Sequence, residues 1–187
     1  MLPLGPNGGR FHLHPVRAPH QVELEVHEFG RAVRVGFGAY SDEAVAQPPL
    51  AFESRELLAL TAYVARQSRG LPIRIAIDGR TRPFLDAGSE AFYRRQGQLN
   101  LACSQCHDDN WGKRLAGSVI PQAHPTGYPL YRLEWQGLGS LQRRFRNCLN
   151  GIRAQAPDFG SADFVDLELF LKWRARGMKV ETPAVRP

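Results

Sequence analysis

Cys103 and Cys106 are separated by two residues and followed at once by His107, in the run Cys103-Ser104-Gln105-Cys106-His107. Two thiols at that spacing can add to the vinyl groups of one haem while the next residue, an imidazole, points under the ring towards the iron, so the run reads as a c-type haem attachment signature. Two other chemistries use the same residue types. A thioredoxin-like dithiol wants a strand before its first cysteine and a helix after the second, and Asp108-Asp109-Asn110 continues a helix poorly. A zinc site could draw on Cys103, Cys106, His124 and Cys148, although its second half lacks the close pairing usual in structural zinc sites. Three cysteines in the whole chain argue against a disulfide framework and for chemistry.

Haem iron usually takes a second axial ligand from His, Met, Cys or Tyr. The methionines are Met1 and Met178, and Met178 follows the last apolar run, where it is hard to bring back over a haem. Two candidates remain. His124 lies in the loop Gln122-Ala123-His124-Pro125-Thr126-Gly127-Tyr128-Pro129, where the plain alternative is a loop histidine bonded to backbone. Cys148 lies one helical turn after Arg144, which places the two on one face, roughly 5–6 Å apart at Cβ. A neighbouring guanidinium favours thiolate over thiol and so favours both iron ligation and nucleophilic attack. The plain alternatives are a buried, inert cysteine and a solvated face of Arg143, Arg144 and Arg146; either way three arginines around one cysteine raise the local affinity for oxyanions.

Several elements must position these residues. Ser54 reads as the N-cap of a helix carrying Leu57, Leu58, Leu60, Thr61, Val64 and Ala65 and ending at Gly70 and Pro72. Ile73 to Arg82 reads as a linker with an Asp78-Gly79 turn. Pro83 suits the first turn of a helix running to about Arg95, with Phe84, Ala87, Gly88, Ala91 and Phe92 on one stripe, and Gly88 implies close helix packing. A loop from Asp108 to Gly137, punctuated by Pro121, Pro125, Gly127 and Pro129, follows the cysteines. Ser140 caps a helix from Leu141 to about Asn150, and Ser161 caps a last, apolar one through Phe164, Val165, Leu167, Leu169, Phe170, Leu171 and Trp173, ending before Gly177. The first 50 residues are rich in Pro, Gly and His, with alternation suggesting strands at Glu23 to Val26 and Ala32 to Phe37.

Composition bounds the rest. A chain of 187 residues with 43% hydrophobic content suits one ordinary domain with an appendage, or two small ones. The formal charge of +6 fits small anions, an acidic partner or nucleic acid, but the basic residues are scattered and carry no nucleic-acid-reading signature. No apolar run approaches the roughly 18 residues of a membrane span. The start, Met1-Leu2-Pro3-Leu4-Gly5-Pro6, does not resemble a secretory signal.

The runs Gly97-Gln98-Leu99-Asn100-Leu101-Ala102-Cys103-Ser104-Gln105-Cys106-His107-Asp108-Asp109-Asn110-Trp111-Gly112-Lys113, Pro125-Thr126-Gly127-Tyr128-Pro129, Arg132-Leu133-Glu134-Trp135-Gln136 and Arg144-Phe145-Arg146-Asn147-Cys148 together resemble the SoxA family, the catalytic cytochromes of the SoxAX complex of bacterial thiosulfate oxidation. The likeness runs from about Ala51 to Pro187. It implies an all-α cytochrome c fold, a periplasmic location, a SoxX haem partner, and oxidative coupling of thiosulfate to a cysteine of the SoxYZ carrier. Carried over by position, Cys103 and Cys106 attach the haem, His107 and Cys148 become its axial ligands, Cys148 the reactive cysteine, and Arg144 the thiosulfate contact; Lys113 and Arg143 are candidates for added positive charge. Many family members carry a second haem motif in an earlier domain, whereas residues 1 to 102 contain no cysteine. One haem c is therefore expected, with residues 1–80 a vestigial cytochrome c-like domain and 81–187 the haem domain. The absent signal is attributed to truncation or a misassigned start.

Two functions are carried forward: a haem-dependent thiosulfotransferase acting through Cys148, and an electron-transfer subunit with His124 as ligand and Cys148 inert. Replacement of Cys148 separates them.

Overall fold

A computed structural model of the chain describes the strands Phe11–His12, Glu23–Glu28 and Arg31–Gly36 and every residue from 49 to 187. Contacts divide the chain into two compact units, Met1–Leu50 and Ala51–Pro187. In the first, β1 (Phe11–His12), β2 (Glu23–Glu28) and β3 (Arg31–Gly36) form an antiparallel sheet in that order. The alternation read at Glu23 to Val26 and Ala32 to Phe37 falls on β2 and β3, save Phe37, which lies outside the described residues with most of the Pro, Gly and His-rich stretch.

The second unit is built on helices. Ser54 accepts from the Leu57 amide at 3.2 Å and starts α1 (Arg55–Arg66). Pro83 sits in the first turn of α2 (Arg82–Tyr93), where its missing N–H is harmless. The cysteine motif is itself a short helix, α3 (Cys103–His107). Ser140 accepts from the Arg143 amide at 3.1 Å to open α4 (Leu141–Gly151), and α5 (Ala162–Arg174) closes the helical set. Ser161 holds the extended N-cap backbone expected of it but makes no capping bond; its hydroxyl is buried without a partner.

Helices α2, α4 and α5 enclose one core of Leu85, Phe92, Leu141, Phe145, Leu149, Phe164, Leu167, Phe170 and Leu171. The closest approach is at Gly88, where an added Cβ would overlap the Asp166 carbonyl and come within 2.9 Å of Phe170 Cβ. Close packing at Gly88 is thus as expected, but the buried stripe of α2 is Leu85, Gly88 and Phe92, rotated from the expected one; Phe84 and Ala87 face solvent. On α1 just Leu58 and Ala62 are buried, and Leu60 and Val64 are exposed.

The all-α expectation needs correction, because the long segment after the cysteines is not structureless. It forms a hairpin of β4 (Arg114–Leu115) and β5 (Ser118–Val119), then β6 (Leu130–Arg132) paired with β7 (Gly137–Gly139) and, in parallel, with β8 (Ala184–Arg186). The reason is backbone satisfaction: a proline-rich loop cannot meet its own amide and carbonyl needs by helix formation, so it pairs with the C-terminal tail. The tail also zips to the start of the linker, with Ile73 N–H donating to Met178 O and Gly70 N–H to Val180 O, both at 2.8 Å.

Candidate functional site

A helix of five residues cannot nucleate alone, so α3 depends on what holds its ends. At the front, the Ala102 amide donates to Gln105 Oε1 at 2.8 Å. At the back, Asn110 Nδ2 donates to the Gln105 carbonyl at 2.6 Å, and Arg174 of α5 donates to the Asp108 carboxylate at 2.5 Å. The Arg174 guanidinium lies over the Phe92 ring, 4.6 Å from its centre, so the clamp on the motif is built into the helical core. The element directly before Cys103 is helix α2, not a strand, and the motif helix ends at His107, which is not the frame of a thioredoxin-like dithiol.

The His107 imidazole is oriented by the loop. Its Nδ1 lies 2.6 Å from the Pro121 carbonyl oxygen. A carbonyl can only accept, so the proton of a neutral ring sits on Nδ1 and the lone pair on Nε2. Burial lowers the His107 pKa and thus favours the neutral form, with Arg144 acting the same way and the Pro121 bond against it. The carbonyl is held in place because the loop is anchored: Lys172 donates to the Pro125 carbonyl at 2.7 Å, Thr126 to Glu181 at 2.7 Å, and Thr182 to the Tyr128 carbonyl at 2.9 Å. An imidazole so fixed fits the role of an iron ligand, with a backbone carbonyl setting its tautomer.

The three thiols converge. Burial, followed by the nearness of Cys148, pushes the Cys103 thiol up to about 11. Cys148, on α4, is also pushed up, first by burial; Arg144 and then Arg132 oppose the rise, and Cys106 and Glu134 add to it. Yet Cys148 has solvent-accessible surface. The exposed thiol is open to a bulky group between Cys148 and the motif. Soft thiols and one neutral imidazole are the donor chemistry of haem iron.

His124 is placed differently. The charged groups acting on it are Arg174 and Asp108, and burial lowers its pKa. No group of three or more His, Cys, Asp and Glu side chains that could hold a metal ion is assembled among the described residues, so the four zinc candidates do not form a tetrahedral set. Lys113 Nζ donates to Asn110 at 2.8 Å, and Arg143 lies 4.5 Å from the centre of the Trp135 ring. The arginines acting on Cys148 are Arg144 and Arg132. Tyr128, Arg132 and Glu134 lie in runs that carry the family resemblance, but no periodicity or spacing tied them to Cys148, with which they interact in the folded chain.

Fold and site define a cytochrome c-like protein with one attachment motif among the described residues and a cysteine facing it. No family model matches the chain. Its sequence is 39% identical over 145 residues to the L-cysteine S-thiosulfotransferase subunit SoxA of Pseudaminobacter salicylatoxidans, covering 77% of this chain and 51% of that protein. The SoxA subunit of Paracoccus pantotrophus is 37% identical over 127 residues, covering 68% of this chain and 44% of that one. In structure the chain resembles the crystal structure of SoxXA from P. pantotrophus with a TM-score of 0.73 and 34% identity, over 75% of this chain and 53% of that one. The chain is therefore a relative of the SoxA subunits in both sequence and fold, and it spans about half the length of the curated relatives it matches.

Proposed function

We propose that this chain is a haem-dependent sulfur-transfer centre that couples thiosulfate to a cysteine of a SoxYZ-type carrier. The observation carrying this reading is the exposed Cys148 thiol, close enough to Cys103 and Cys106 to influence them and under the influence of Arg144. One haem c would be held by Cys103 and Cys106 together with His107 and Cys148. When bound it supplies one-electron redox chemistry, at a potential kept low by the thiolate.

The protein's own residues do the rest. Pro121 holds the His107 proton on Nδ1 and keeps Nε2 free for the metal. Arg144 favours the thiolate form of Cys148 against burial and orients the sulfonate of thiosulfate by paired charged hydrogen bonds. Overall, a carrier thiol and thiosulfate join sulfur to sulfur with loss of one proton and two electrons, which pass to a cytochrome c acceptor. The partner is a SoxX-type cytochrome and the compartment is the periplasm, where haem attachment occurs. No helix among the described residues is long and apolar enough to cross a membrane. We further infer that residues 81–187 form the haem domain.

The test is Cys148→Ala in holoprotein paired with its SoxX-type partner. Loss of thiosulfate-dependent turnover, together with loss of thiolate character in the low-spin ferric resonance spectrum, supports the reading. Unchanged turnover with a bis-nitrogen spectrum leaves an electron-transfer subunit ligated by His124.

A further inference from the structure

Arg132 is the last residue of β6, opposite Gly137 of β7 and beside Arg186 of β8. Its side chain is 12% exposed, whereas its ion-pair partner Glu134, at 3.1 Å, is 53% exposed. The guanidinium is oriented by the Trp135 ring, whose centre lies 5.2 Å away, and Trp135 in turn rests on Gly139, where a Cβ would collide with the indole. Arg132 also acts against the rise that burial causes in the Tyr128 phenol. Even so, its Nε is buried with no hydrogen-bond partner. A guanidinium has five donors, and an unpaired one away from water is costly. The charge is therefore held deep, in a fixed plane, and only partly neutralised by a carboxylate that is itself half in solvent.

Arg144, on α4, is the second charge that acts here. Both arginines act on two side chains, Tyr128 and Cys148, and in both cases they oppose the effect of burial. Arg144 comes from helix α4 and Arg132 from strand β6, so the two charges that act on Cys148 belong to different elements.

We propose that Arg132 is a second anion-binding residue of this site, pairing with Arg144 around the sulfonate of a doubly charged, tetrahedral sulfur oxyanion whose terminal sulfur meets Cys148. The inference rests on the sulfur-transfer reading above and assigns its charge specificity. Two guanidinium forks favour a dianion over a monoanion, and Glu134 competes with the substrate for Arg132.

The experiment is calorimetric titration of the oxidised holoprotein with thiosulfate and, separately, with the monoanion methanethiosulfonate, the haem spectrum serving as a control for folding. Arg132→Gln is expected to weaken thiosulfate by about tenfold or more while weakening the monoanion much less. Arg132→Lys restores part of the loss, because charge returns without the fork. Glu134→Gln, a conservative change at a half-exposed position, is expected to tighten thiosulfate by about two- to fivefold. A merely structural Arg132, clipping β6 to its turn, predicts that Arg132→Gln lowers both affinities alike and that Glu134→Gln tightens neither; that pattern overturns the proposal. Arg144→Ala separates the two levels. If it abolishes thiosulfate binding while Arg132→Gln leaves the dianion preference within twofold, this inference alone fails. If native protein and the Arg144 variant bind thiosulfate equally, or neither binds, the sulfur-transfer reading fails with it.

Discussion

Arg174, near the end of α5, donates to the carboxylate of Asp108, the residue immediately after His107, at 2.5 Å. The last helix of the chain thereby holds the back of the motif helix. Both side chains are largely buried, at 17% and 27% exposure, and Arg174 also covers Phe92. Replacing Asp108 by Ala leaves a buried guanidinium charge without its partner, and the cost is expected to be about 1–3 kcal/mol. Denaturant unfolding of the holoprotein checks the loss, and a shifted haem spectrum reports the loosened His107. A stability within about 0.5 kcal/mol of native would show that the clamp is ornamental.

Covalent attachment is tested at the two motif thiols. Single Cys103→Ser and Cys106→Ser variants are expected to retain haem through one thioether, visible as a shift of the alkaline pyridine haemochrome band, and the double variant to release haem under denaturing electrophoresis. Haem retained by the double variant would place the attachment elsewhere.

Gly88→Ala probes the crossing of α2 and α5. The new methyl meets the Asp166 carbonyl and Phe170. Overpacking of this kind costs about 1–3 kcal/mol, although alanine is the better helix former. Thermal unfolding of both proteins decides the sign.

Glu168 gives a pH dependence. Burial pushes its carboxyl up from the usual 4.5, while Gln142 and Lys172 act against it. A raised acid keeps its proton to higher pH in the folded chain than in the unfolded one, so the group's contribution is present below the usual value and is lost as pH rises through the folded one. Stability curves measured upward from about pH 4 should therefore lose a falling component in Glu168→Gln. Identical slopes in the two proteins would refute the assignment.

What the sequence determined by itself is local. Helix starts were legible at Ser54, Pro83 and Ser140 because a cap or a proline acts within one turn. The attachment motif was legible because two thiols and an imidazole within five residues carry their own geometry. Arg144 and Cys148 were legible as neighbours because a helix repeats every four residues, and Gly88 because a missing side chain on an apolar stripe implies close packing.

Tertiary structure decided what depends on partners distant in sequence. The buried face of α2 turned to Leu85 and Phe92 because α5 selects it by contact, not by composition. The segment after the cysteines acquired strands because its backbone had to pair with the tail at Ala184–Arg186. Pro121 became the acceptor for His107 across 14 positions, and Arg132 of β6 came to act on Cys148 of α4, 16 residues on, through tertiary packing that no local periodicity encodes. Arg143, one residue from Arg144, lies over Trp135 instead of joining Arg144 in acting on the thiol, since adjacent residues on a helix point about 100° apart.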